Sequence, residues 1–407
     1  MHGSEHEANA DTDGQARDVP TLGDVVAVLD THYPPAWAEP WDAVGLVCGD
    51  PEAPVRRVMF AVDPVSETVE EAVDAGADLL VTHHPLLLRP VHGVAATTPK
   101  GRLVHRLVRA GIGLHVVHTN GDVADPGVSD ALARVLGLDD LRPLVPAPAD
   151  PLDKVVTFVP PEDTARVLDA LATAGAGAIG DYSRCAYLLD GLGTFLPGES
   201  AHPTIGERGL VARVPETRLE MVLPRARRAE VVRALREAHP YEEPAYDMYE
   251  MAGGPGRRGL GRVGRLARPE NLEAFARRTA AALPSTAAGI RVAGDAGQTV
   301  EQVAVCGGAG DSLFDAVRAA EVDAYVTADL RHHPASEAVA HGRPALLDAA
   351  HWATEWPWLR EAAARLADTL AAAGSTVEAV VSRTVTDPWT SALRSPDDQP
   401  DHPRSPR

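Results

Sequence analysis

The sequence predicts an α/β protein: a two-part α/β core with related halves, interrupted by an inserted ferredoxin-like α+β domain. Three observations carry this. In the first and last thirds of the chain, short continuous apolar runs alternate with amphipathic helical stretches, the pattern of mainly parallel sheets covered by helices. The middle of the chain changes to a β-α-β-β-α-β order, the ferredoxin-like pattern. The two flanking segments also echo each other, GADLLVTHHP at 76–85 against EVDAYVTADLRHHP at 321–334, which hints at two related halves.

Taken in order, residues 1–18 and 391–407 have the composition of disordered tails. The first half-core, 19–145, starts with an amphipathic helix near 22–32. A strand at 56–62, a helix at 66–75, a strand at 78–82, a helix at 101–110 and a strand at 112–118 follow. The proline-rich stretch RPLVPAPADP (142–151) and the glycine-rich MAGGPGRRGLG (251–261) read as linkers. They bracket the inserted domain, 152–252, with strands at 154–159, 184–189, 209–214, 218–223 and 245–250 and helices at 162–174 and 225–238. The second half-core, 258–390, repeats the alternation: strand 302–306, helix 312–320, strand 324–327, helix 335–341, strand 344–348, a long helix at 354–373 and a strand at 376–382.

Composition narrows the function. The 407 residues are enough for two or three domains at about 150 residues each. With 58 acidic against 38 basic residues the net charge is −20, which argues against a nucleic-acid binder, since such proteins displace counterions with positive charge. No apolar run reaches membrane-spanning length, and the polar N-terminus lacks the apolar stretch of a signal peptide. Three scattered cysteines (Cys48, Cys185, Cys306) form neither a disulfide framework nor a CxxC pair, so a cytoplasmic location is expected.

Ligands of open α/β sheets bind beyond the carboxyl ends of strands, and three such ends carry metal-ligating residue types. In VTHHPLL, His83 and His84 follow an apolar strand and can diverge where it breaks before Pro85; the alternative is a pair of hydrogen-bonded loop histidines. In HVVHTNGD, Asp122 lies four residues beyond His118. The carboxylate can bind a cation and His118 can serve as acid/base, whereas the alternative is an Asx-type turn capped by Asn120 and Asp122. In LLDAAHWATE, His351 and Glu355 share a helix face. A carboxylate there can bridge two metals; alternatively, Glu355 complements the helix dipole. Together these supply three imidazoles and two carboxylates for a dinuclear centre. Two metals about 3.5–4 Å apart can share a hydroxide and stabilise a hydrolytic transition state. The ligand types admit Zn, Fe, Mn or Ni.

Weaker candidates are CGGAGDS (306–312), whose glycines allow either backbone contact with an anion at a helix start or a tight packed turn, and His332 and His333 in a second HHP. No GxSxG or other nucleophile motif is present.

At WDAVGL (41–46), GADLLVTHHPL (76–86), HTNGD (118–122), GVSDALARVLGL (127–138), CGGAG (306–310) and DAAHWATE (348–355) the sequence resembles the Nif-three-like family, the GTP cyclohydrolase type 2 homologues. The motifs are in order over roughly residues 22–390. GAGAIGDYSRCAY (174–187) and AHPYEEPAYD (238–247) look like the CutA/PII-like insertion of the family's long form. The resemblance implies two divalent metal ions per chain held by His83, His84, Asp122, His351 and Glu355, and a toroidal homohexamer. Departures are Ala43, Gly121, Ala328 and Ala350, none of them an implied ligand. Two functional expectations follow. The first is a metal-dependent hydrolase of a small, nucleotide-like substrate, with His118 as catalytic proton shuttle and GTP ring opening as the case the resemblance suggests. The second is a non-catalytic metal-handling or regulatory scaffold. A protein-interaction adaptor is a third reading, for which the sequence shows no recruitment motif.

Overall fold

A computed structural model describes residues 19–393. The tails expected at 1–18 and 391–407 lie outside the described residues, except for 391–393, which are irregular. The chain forms two compact units, one from the residues up to 147 together with those from 257 onward, the other from 148–256.

The first unit begins with α1 (Leu22–His32), β1 (Gly45–Cys48), β2 (Arg57–Ala61), α2 (Ser66–Asp74), β3 (Leu79–Thr82), α3 (Pro99–Ala110), β4 (Gly113–Val116), α4 (Thr119–Val123), α5 (Val128–Val135) and β5 (Leu138–Pro148). A capping box starts α1: Thr21 Oγ1 accepts from the Asp24 amide at 3.1 Å and Asp24 accepts from the Thr21 amide at 2.9 Å. The second unit holds β6 (Leu152–Val159), α6 (Thr164–Thr173), β7 (Tyr187–Phe195), β8 (Ala212–Pro224), α7 (Arg228–Ala238) and β9 (Tyr246–Glu250). The chain then returns through β10 (Pro255–Asn271), α8 (Leu272–Ala282), β11 (Arg291–Ala293), β12 (Thr299–Ala309), α9 (Phe314–Ala319), β13 (Ala324–Ala328), α10 (His332–Ala340), β14 (Ala345–Ala349), α11 (His351–Ala372) and β15 (Glu378–Val381).

The second unit is a four-stranded antiparallel sheet in the order β7-β8-β6-β9. With two helices in β-α-β-β-α-β sequence it is ferredoxin-like. The two strands expected at 209–214 and 218–223 are one continuous strand, β8. Its odd-numbered residues Leu219, Met221 and Leu223 pack on Val167, Leu171, Val231 and Leu235 of the helices.

The first unit contains two sheets, ordered β1-β4-β3-β2-β15 and β11-β14-β13-β12-β10-β5. Strands β2, β3 and β4 are mutually parallel, as are β12, β13 and β14, and each set carries an antiparallel neighbour, β1 on β4 and β11 on β14. The order α1-β1-β2-α2-β3-α3-β4 is thus repeated as α8-β11-β12-α9-β13-α10-β14, so the halves are related in topology. The final strand crosses over: β15 pairs with β2 rather than with the second sheet. One core joins the sheets, with Phe60 and Val81 from the first, Val305 and Val326 from the second, and Trp358, Leu359 and Leu366 of α11 in the same cluster.

Both stretches read as linkers are largely strand. RPLVPAPADP continues β5 to Pro148 and the glycine-rich stretch enters β10 at Pro255. The prolines are accommodated because β5 is the outermost strand of its sheet, where a missing N–H breaks no ladder. Gly259 permits close approach, since a Cβ there would stand 2.2 Å from the Val145 carbonyl oxygen.

A buried ion pair locks β10 to α5. Arg262 is 2% exposed and grips Asp130 with two bonds of 2.8 and 2.7 Å, while its remaining N–H groups reach the carbonyls of Gly259, Gly261 and Ala124. Every donor is matched, so the cost of desolvation is offset only while Asp130 is present. Asp130→Ala should lower unfolding free energy by about 3–5 kcal/mol in guanidinium titration, and an Arg262→Met, Asp130→Leu double variant should recover most of it.

Candidate metal centre

The site forms where the carboxyl ends of β3, β4 and β14 meet the start of α11. His83 and His84 follow β3 directly, their amides held by the carbonyls of Ala61 and Val62 at 3.1 and 2.8 Å. His118 precedes α4, and His351 is the first residue of α11. Glu355, one turn along α11, is 3% exposed and projects among the imidazoles.

Each histidine is oriented through Nδ1. His83 Nδ1 lies 2.8 Å from the Val117 carbonyl oxygen, His84 Nδ1 2.7 Å from Asp63, His118 Nδ1 2.8 Å from Asp42, and His351 Nδ1 2.7 Å from Asp329. A carbonyl can only accept, so His83 carries its proton on Nδ1 and turns the Nε2 lone pair inward. The carboxylate partners fix the other three in the same sense, an arrangement typical of metal-ligating histidines.

Inside, the Nε2 atoms face carboxylate oxygens. His351 Nε2 is 2.9 Å and His83 Nε2 3.5 Å from Glu355 Oε1, His84 Nε2 is 3.2 Å from Glu355 Oε2, and His83 Nε2 is 3.6 Å from Asp122 Oδ1. Glu355 Oε2 is buried and makes no hydrogen bond. Lone pairs facing carboxylate oxygens call for a cation between them, so the donor set fits a divalent metal. Two groups bring their ligand atoms within 4.8 Å of one another, His83 with His84 and His118, and His84 with His351 and Glu355. Asp122 stands outside both groups.

Considered without a metal, the cluster draws in protons instead. Burial opposes charging of His84 and His351, but Glu355 and the Nδ1 carboxylates outweigh it and lift them to about 11 and about 9. Burial, together with the charge of Glu355, pushes Asp122 up to about 6, against the pull of His83 and the other imidazoles. Burial alone would raise Glu355, yet His84, His83 and His351 hold it well below the usual carboxylate range. His118 moves the other way: burial and the neighbouring His83 lower it, against the pull of Asp42.

The structure decides several open readings. Asn120 alone makes the turn after His118, accepting from the His118 amide at 2.9 Å and donating to the Tyr33 carbonyl at 2.6 Å, while Asp122 faces His83. Glu355 is turned to the histidines rather than serving the helix dipole. The glycines of CGGAG form a tightly packed turn: the Gly307 amide points at Ser129 and the Gly308 amide at Thr354, and a 3-10 turn then leads directly into α9. Their purpose is clearance. Gly308 has φ +69°, and a Cβ there would lie 2.5 Å from Glu355 Oε1 and 3.0 Å from His351 Nε2. His332 and His333 meet edge to face in exposed positions at the start of α10 and do not join the cluster. Sequence reasoning missed the orienting carboxylates Asp42, Asp63 and Asp329. For Asp63 and Asp329 the signal was their place just past the ends of β2 and β13. A cavity of about 740 Å³ opens on His84 and His351, walled by Asp63, Asp329, Arg291 and Trp389.

Fold and site together define an α/β protein with a preorganised imidazole–carboxylate cluster suited to divalent metal. The profile of the Duf34/NIF3 (NGG1p interacting factor 3) family matches residues 20–388, and the chain belongs to that family. It is 53% identical over 370 residues to the GTP cyclohydrolase 1 type 2 homolog of Mycobacterium tuberculosis, covering 90% of this chain and 96% of that protein. The Bacillus subtilis protein of the same name is 38% identical, covering 81% and 87%. Among solved structures, a Bacillus cereus protein related to NIF3 superimposes with a TM-score of 0.82 at 34% identity, covering 92% of this chain and all of that one.

Because Gly308 clears the space for Glu355 and His351, Gly308→Ala should leave a folded chain whose metal affinity is about 10–100-fold lower, read by chelator competition.

Proposed function

We propose that the chain is a dinuclear metal-dependent hydrolase acting on a nucleotide-like substrate. The observation that carries this is the convergence of Nε2 atoms from oriented histidines on Glu355, whose Oε2 is buried without a hydrogen bond. In this reading His83, His84, Asp122, His351 and Glu355 hold two divalent ions of the Zn, Fe, Mn or Ni type. Metal there would supply Lewis-acid activation of substrate and water. His118 is assigned proton transfer at Nε2. Asp42 holds its Nδ1, and burial favours the neutral ring that can accept a proton. The cavity beside His84 and His351 would admit the substrate, with Trp389, 68% exposed, offering a flat apolar face at its rim. GTP ring opening is the reaction suggested by the relatives' name, GTP cyclohydrolase 1 type 2 homolog.

The same proposal includes assembly as a homohexameric toroid in the cytoplasm. Exposed Leu188, Leu189 and Leu192 on the edge strand β7, with Leu196 just beyond it, support an assembly surface. No helix among the described residues is long and apolar enough to cross a membrane.

The test is elemental analysis of protein purified without chelator or affinity metal, followed by assay with GTP. Two metals per chain are expected, lost in His83→Ala and Glu355→Ala. Glu355→Gln should abolish turnover, and His118→Asn should keep the metal while losing turnover. Retained, exchangeable metal with no turnover of any nucleotide would favour a metal-handling scaffold. Loss of metal in His118→Asn would make His118 a ligand instead of a proton shuttle.

A further inference from the structure

Beyond β15 the chain runs past the metal cluster with hydroxyls at alternate positions, Ser382, Thr384 and Thr386. In extended chain, alternate residues share a side. Here that side meets two carboxylates. Ser382 Oγ and Thr384 Oγ1 donate to Glu71 Oε2, on α2, at 2.5 and 2.7 Å. Thr386 Oγ1 donates to Asp63 Oδ2, and the other oxygen of Asp63 takes the His84 Nδ1 proton at 2.7 Å. The residues that follow, including Asp387 and Trp389, wall the cavity that opens on His84 and His351.

We infer that Thr386 is a positioning residue for the metal centre: through Asp63 it fixes the ring of His84. The inference rests on the reading of His84 as a metal ligand. Asp63 sits in a turn after β2, and its carboxylate is about a quarter exposed. Left alone, it can rotate about its last side-chain bond. The Thr386 hydroxyl occupies one oxygen and leaves the other for His84, so Nδ1 stays the donor and Nε2 the ligand atom. The need is sharpened by Asp387, the next residue. Its Oδ2 is buried without a hydrogen bond, and burial and the nearby Asp329 and Asp63 charges raise its pKa. Without the Thr386 bond, repulsion from Asp387 would favour turning the Asp63 carboxylate out of register with His84. The strap therefore has two separable anchors: the Glu71 pair holds the chain, and the Asp63 contact reaches the centre.

The test uses the full chain with Co²⁺ as the probe, titrated against a chelator and followed by its visible ligand-field spectrum. Thr386→Val should weaken cobalt binding about 10–100-fold and change the spectrum, as loss of an outer hydrogen-bond partner does. Thr386→Ser, which keeps the hydroxyl, should restore both. Ser382→Ala with Thr384→Val cuts the other anchor; it should lower thermal stability and leave cobalt affinity and spectrum unchanged. Wild-type affinity in Thr386→Val overturns the inference. So does a Thr386→Ser chain as weak as the valine variant, or equal loss in the Glu71-anchor variant, since either makes the effect one of packing. A wild-type chain that takes up no cobalt removes the metal centre itself, which is distinct from a centre that binds cobalt without regard to Thr386.

Discussion

A carboxylate buried among imidazoles is the constraint around which the first unit is built. Glu355 lies on α11, and α11 shares one core with both sheets. A group of this kind is costly to desolvate unless it is paired. Its neighbours are therefore specified: His83 and His84 from one sheet, His351 from its own helix, and Gly308 from the other sheet, where a side chain would collide with it. Thr354 beside it accepts from the Gly308 amide at 2.9 Å and donates to the His351 carbonyl at 2.7 Å, so even the strand that gives clearance is tied to the helix turn that carries His351 and Glu355.

Comparison with another buried charge pair shows what is unusual here. Arg262 and Asp130 satisfy one another and the surrounding carbonyls, so that pair is complete as it stands. The Glu355 cluster is satisfied on its outer side, where four Nδ1 atoms have partners, and unsatisfied on its inner side, where lone pairs and carboxylate oxygens face each other. Outer order with inner need is the signature of a preorganised binding site rather than of a structural network.

The class of fold was legible because its causes are local. Apolar runs such as LLVT and AYVTA, too short for helices and bounded by helical stretches, read as strands covered on both sides. The residues following them announced the site for the same reason. What was not legible depends on partners distant in sequence. Nothing near RPLVPAPADP reveals that it pairs as an outermost strand, since edge position is a property of the assembled sheet. Nothing near β15 reveals that it joins β2, over 300 residues away. The carboxylates behind the histidines were hidden similarly: Asp42 reaches His118 across 76 residues and Asp329 reaches His351 across 22.

The repeated topology also explains why the centre has its particular residues. Strands β4 and β14 occupy equivalent places in the two halves. Two residues past each lies a histidine, His118 or His351, and four residues further a carboxylate, Asp122 or Glu355. Both carboxylates turn toward His83, at 3.6 and 3.5 Å from its Nε2. Both histidines are backed by an aspartate on Nδ1. The centre is thus two copies of one His-x-x-x-carboxylate turn closing on a shared pair, His83 and His84, which the first half alone supplies. In the second half the residue that lines up with His84, two past the shared Val-Thr, is Asp329, and it serves as the support for His351. Its HHP falls four residues later than in the first half, at the start of α10, where a helix start turns the rings to solvent. An internal duplication would ordinarily give two sites; here the offset of those four residues lets the halves build one site between them.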